Sequence, residues 1–192
     1  MKRFFFNIAL LIGAALVSSC AEKKQVVDLP DWAWVDFQRP EGINPIISPD
    51  TTSLFYCPMR QDSVAWEASD TFNPAATIYD GKVVVLYRAE DNSAVGIGSR
   101  TSRLGYAYSD DGLHFQRMSI PVFYPSDDNQ KELEWTGGCE DPRIAATEDG
   151  LYVMLYTQWN RKQARLAVAT SRNLQVWEKH GPVFAQAYNG RF

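Results

Sequence analysis

The chain has 192 residues, 45% hydrophobic, 22% charged and 13% aromatic, with a formal net charge of −4. That composition excludes wholesale disorder, collagen and coiled coil, and fits one ordinary domain or part of a larger one. The 19 basic residues are scattered and outnumbered by 23 acidic ones, which argues against a nucleic-acid reader.

The first segment reads as an address. Lys2 and Arg3 precede an apolar run from Phe4 to Val17, too short and too N-terminal for a spanning helix. Val17-Ser18-Ser19-Cys20 follows and resembles a bacterial lipobox, in which the cysteine is lipidated after residues 1–19 are removed. A plain secretory signal with a chance cysteine is the alternative. With Ala21 next and a polar tether to Val27, the expectation is an outer-membrane lipoprotein, anchored to the membrane through Cys20. Loss of Lys2 and Arg3 leaves 17 basic against 23 acidic residues, a net charge of −6. Cys57 and Cys139 then remain, and an oxidising periplasm permits a disulfide between them. Two cysteines and two histidines make no ligand cluster, so no metal is expected.

Residues 20–66 form the lipidated cysteine, the tether and an irregular lead-in rich in proline and tryptophan, with a short strand around Ser53 to Tyr56. From residue 67 the chain repeats itself. Asn73-Pro74-Ala75-Ala76 has its counterpart in Asp141-Pro142-Arg143-Ile144, and Val84-Val85-Leu86-Tyr87 in Val153-Met154-Leu155-Tyr156. Tyr106-Ala107-Tyr108-Ser109 matches Val168-Ala169-Thr170-Ser171, Phe115 matches Trp177, and Ile120-Pro121-Val122-Phe123 matches Gly181-Pro182-Val183-Phe184. The spacing shortens from 68 to 61 residues, so the first copy has the longer connection, Glu90 to Arg103.

Each copy holds about four short strands, separated by turns such as Asp80-Gly81 and Glu148-Asp149-Gly150. Four strands repeated at this period predict an all-β fold built from β-propeller blades. A duplicated sandwich is the competing architecture. Two blades cannot close a ring, so residues 67–192 are expected to be part of a longer propeller domain.

The aligned Asx-Pro pairs, Asn73-Pro74 and Asp141-Pro142, are expected to open the innermost strands, because proline keeps the preceding residue extended. An extended strand sends Glu140 and Asp141 to opposite faces and puts Arg143 on the face of Asp141. Arg143 then either forms a salt bridge that holds Asp141 ionised, or takes an active part as a substrate-binding residue, orienting the acid or binding a substrate oxygen.

Gly138-Cys139-Glu140-Asp141-Pro142-Arg143, with Phe72-Asn73-Pro74-Ala75-Ala76, Leu86-Tyr87-Arg88 and Ala169-Thr170-Ser171 up to Trp177, resembles glycoside hydrolase family 130. The resemblance implies a five-bladed propeller that cleaves β-mannosides with inversion, by hydrolysis or phosphorolysis. It makes Asp141 the catalytic acid, its proton passing through a hydroxyl of the bound mannose. Asn73 and Arg88 become contacts to that mannose. Glu140 binds sugar or supports the loop. Trp135 stacks on a sugar or caps the blade.

No organic cofactor is implied; inorganic phosphate is a co-substrate only in a phosphorylase. Inversion needs a second group, a base for water or a cradle for phosphate, and none stands out before Phe192. Motif alone leaves the two reactions open. A sugar phosphate released outside the inner membrane is of little use to the cell, so the lipoprotein signal favours a hydrolase acting on β-1,2-linked mannosides. Rivals are an arabinan- or fructan-cutting propeller, which position 73 (Asn, not Asp) disfavours, and a non-catalytic glycan-binding lipoprotein.

Overall fold

A computed structural model describes residues 30, 32–33 and 37–184. The signal, Cys20 and the tether to Val27 lie outside them. The chain divides into Met1–Gln38 and Arg39–Phe192. Within Met1–Gln38, Ala33 N–H donates to the Pro30 carbonyl at 2.8 Å in a turn. No helix among the described residues is long and apolar enough to cross a membrane.

The described part of Arg39–Phe192 is nearly all β, with one short helix. β1 (Asp50–Cys57) and β2 (Asp62–Glu67) form an antiparallel hairpin. The single short strand expected near residue 53 is thus half of a pair inside the supposed irregular lead-in. Then come β3 (Asp70–Tyr79), β4 (Lys82–Glu90), β5 (Ser102–Ser109) and the two-residue β6 (Gln116–Arg117), paired antiparallel in that order. A short helix α1 (Lys131–Glu134) leads to β7 (Gly138–Ala146), β8 (Tyr152–Trp159), β9 (Ala164–Ser171) and β10 (Glu178–Pro182), again antiparallel neighbours.

The two four-stranded units meet at one parallel pairing, Ser102 with Gly138. No sheet among the described residues closes on itself.

Local chemistry explains the elements. Val83, Val84 and Val85 are β-branched and stiff in χ1, which suits a strand. Asp80 (φ 50°) and Gly81 (φ 72°) both take the left-handed conformation between Tyr79 and Lys82, the two-residue turn whose twist matches a hairpin. Alternation along β4 sends Val84 and Leu86 to one core and Val85, Tyr87 and Ala89 to another. The first core joins Leu104 and Phe123 of the first unit to Cys139, Met154 and Tyr156 of the second. The other packs the first unit on Phe55 and Trp66 of the hairpin. Cys139 and Cys57 therefore belong to different cores, and both are buried free thiols rather than a disulfide.

The repeat is structural in detail. Val122 N–H donates to the Leu104 carbonyl at 2.9 Å, and Val183 N–H to the Leu166 carbonyl at 2.8 Å. A polar motif around a buried glutamate–tyrosine pair repeats too. Tyr87 donates to Glu67 at 2.8 Å beside Arg117 at 3.2 Å, and Tyr156 donates to Glu134 at 2.7 Å beside Lys179 at 2.5 Å.

Candidate active site

The Asx-Pro pairs do not open strands. They lie inside β3 and β7, at irregularities in pairing between Phe72 and Ala75 and between Glu140 and Arg143. Asn73 (φ 45°) and Asp141 (φ 52°) are left-handed there, conformations that asparagine and aspartate tolerate better than most residues. The expected extended residue before proline yields to a bulge in both copies.

That bulge rearranges the faces. Regular alternation would separate Glu140 from Asp141, yet both meet the same guanidinium. Arg88 Nη2 is 2.8 Å from Glu140 Oε1, and Arg88 Nη1 is 3.1 Å from Asp141 Oδ1. Asn73 Nδ2 donates to the same Asp141 Oδ1 at 2.9 Å. Residues 68 positions apart in the repeat thus touch across the seam between the two units.

Arg88 is 4% exposed and lies over the Phe72 ring at 4.6 Å. Its Nε donates to Ser102 Oγ at 3.1 Å, and Nη2 also donates to Glu90 Oε1 at 2.6 Å. Four of its five N–H bonds therefore have partners among the described residues. The fifth, on Nη1, remains for a ligand oxygen beside Asp141. Ser102 Oγ reaches Glu140 Oε1 at 3.0 Å, and burial pushes the Glu140 carboxyl above its usual range, against the pull of Arg88.

Asp141 is held asymmetrically. Oδ1 accepts both donors, whereas Oδ2 has no partner among the described residues and the side chain is 35% exposed. A carboxyl fixed through one oxygen, with the other open, can exchange a proton with a group brought up to it. Glu140 meets the guanidinium at Nη2, with its side chain 11% exposed.

Arg143 is the exception among the residues singled out. It is exposed, and its Nη1 donates to the Pro142 carbonyl at 2.7 Å, not to Asp141. The bulge removes the shared face on which that pairing was expected. Trp135 packs at the edge of the hairpin core with Arg60 over its ring at 5.9 Å, consistent with a capping position.

Glu90 and Ser102 were not singled out from the sequence. Glu90 had a signal, since it lies two residues beyond Arg88 on one strand face. Ser102 had none, because its place depends on the β4–β5 register across a long connection.

The family model described as β-1,4-mannooligosaccharide phosphorylase, that of glycoside hydrolase family 130, matches residues 41–189. A 1,2-β-oligomannan phosphorylase of Thermoanaerobacter sp. (strain X514) is 38% identical over 141 residues, covering 66% of this chain and 46% of its own. A solved structure from Bacteroides thetaiotaomicron VPI-5482 is 87% identical with a TM-score of 0.81, covering 86% of this chain and 48% of that one. Another structure, from a study of family-130 glycoside hydrolases that target β-1,2 mannosidic linkages in Candida mannan, is 70% identical with a TM-score of 0.80. It covers 85% of this chain and 46% of its own. The chain thus spans about half the length of these relatives.

Proposed function

The chain belongs to glycoside hydrolase family 130, and from that premise we propose that the full-length protein is an inverting β-mannosidase. Its substrate is a β-1,2-linked manno-oligosaccharide, and Asp141 is the acid. One observation carries this reading: Asp141 Oδ1 is held by Asn73 and Arg88 while Oδ2 stays open. Asn73 and the free N–H of Arg88 Nη1 bind the mannose whose glycosidic bond breaks.

The bond between the anomeric carbon and the glycosidic oxygen breaks. The proton on Asp141 Oδ2 passes through a mannose hydroxyl to that leaving oxygen. Water attacks the opposite face and gives its own proton to a base. We assign the base to a part of the protein outside the described residues. The ring of blades that would enclose this site, and the lipid anchor on Cys20, belong to the same proposal.

Phosphorolysis is the second reading, favoured by the phosphorylase description of the family and of the Thermoanaerobacter relative. The family-130 hydrolases described with the 70% identical structure, and the lipobox, support hydrolysis. Full-length protein incubated with β-1,2-mannobiose, with and without phosphate, decides between them. Hydrolysis releases mannose in both; mannose 1-phosphate formed only with phosphate overturns it.

A further inference from the structure

We propose that Glu90 and Arg100 are positioning residues for the acid: they clamp Arg88, and through it Asp141, making the β4–β5 connection part of the active site. The assay rests on the β-mannosidase reading; the geometry does not.

Glu90 is fully buried, where an unpaired carboxylate is costly. Its Oε1 takes Arg88 Nη2 at 2.6 Å and Ser102 Oγ at 3.3 Å, while Oε2 takes Arg100 Nη1 at 3.3 Å. Arg100 also pairs with Asp70, and its Nε donates to the Ala94 carbonyl at 3.2 Å. Arg88 is therefore gripped at Nε by Ser102 and at Nη2 by Glu90 and Glu140. A planar guanidinium held at two corners cannot rotate, so the direction of Nη1, the edge facing Asp141, is set.

Charge gives the same answer. Glu90, Glu140 and Asp141 crowd one Arg88, and one cation cannot balance three carboxylates. Arg100 brings a second positive charge, carried on the 91–101 connection.

The fold does not demand this cluster. In the second unit the places of Arg88 and Glu90 fall to Thr157 and Trp159, and β8 joins β9 through residues 160–163 alone. The longer connection and its arginine occur where the acid needs a held partner. Insertions in one copy of a repeat commonly serve the binding face.

The test uses full-length Glu90→Gln, Arg100→Gln and Arg100→Lys. On β-1,2-mannobiose, the two Gln variants should lose about 10- to 100-fold in kcat, the scale of a small misplacement, with little change in KM. Arg100→Lys, which keeps the charge, should recover part of the loss. Crystals of the Gln variants should show the 3.1 Å contact between Arg88 Nη1 and Asp141 Oδ1 broken. Arg100→Gln carries the test if Glu90→Gln does not fold, because Arg100 lies nearer the surface. Wild-type kcat in a folded Gln variant, or an intact Arg88–Asp141 contact, overturns the proposal. If wild-type protein turns over no β-mannoside, the mannosidase reading falls, and the crystal contact still decides the clamp.

Discussion

In the proposed mechanism Asp141 works through the unequal surroundings of its two oxygens. Removing the Asn73 donor leaves Oδ1 with Arg88 alone and frees the carboxyl to turn. A hydrogen bond to a charged group is worth about 1.5–3 kcal/mol, so Asn73→Ala should lower kcat/KM on β-1,2-mannobiose roughly 10- to 100-fold. Steady-state kinetics check this; an unchanged value would detach Asn73 from the acid. A second carboxyl sets a pH dependence of stability. Burial raises Glu67 above its ordinary range, and its Oε1 has no hydrogen-bond partner among the described residues. A raised carboxyl stabilises the fold fully below its unfolded-state value and loses that contribution as pH climbs through the folded one. Glu67→Gln does not titrate. The stability of the wild type relative to Glu67→Gln should therefore fall as pH rises from acid toward neutral, measurable by urea unfolding at each pH. A difference that does not vary with pH would contradict the raised value.

At the scale of the elements, the site depends on two bulged strands and a tight seam. A Cβ at Gly138, already at φ 123°, would lie 2.2 Å from the Ser102 carbonyl oxygen and 2.5 Å from its nitrogen. Those obstacles are backbone, so β7 must move away from β5. Gly138→Ala should cost about 1–3 kcal/mol or more and also lower activity, because Ser102 anchors both Arg88 and Glu140. Thermal unfolding and turnover measured together check it; loss of neither would mean that the seam is not rigid.

The four-strand repeat was legible in the sequence because matched valine, leucine and tyrosine runs must bury at matched places. The turn at Asp80-Gly81 was legible because few residues accept two positive φ angles. The bulges were not. The rule that proline extends its predecessor is local, whereas Asn73 and Asp141 are bonded to each other across 68 residues. From that one miss followed the misplacement of Glu140 and Arg143. The β1–β2 hairpin was hidden by the prolines around it.

Across the two four-stranded units, a buried glutamate and a buried tyrosine meet one cation in the same relation, Arg117 on the exposed β6 in the first and Lys179 in the second. The second set is the better enclosed, with the Lys179 side chain 11% exposed and Glu134 fully buried. Removing one partner of a buried ion pair costs about 3–5 kcal/mol, so Lys179→Ala should destabilise the protein by that order in chemical denaturation. A loss below 1 kcal/mol, the scale of exposed ion pairs, would show that Glu134 is satisfied by Tyr156 and Gln158 alone. The two four-stranded units are joined by a shared core and by the Asn73–Asp141–Arg88 contact, so the fold that buries the core also assembles the proposed acid. The most direct test of that claim is turnover and glycan affinity of full-length Asp141→Asn on β-1,2-mannobiose. The account predicts that kcat falls about 10²- to 10⁴-fold, the contribution of a positioned general acid, while affinity is largely kept. Undiminished turnover would contradict it.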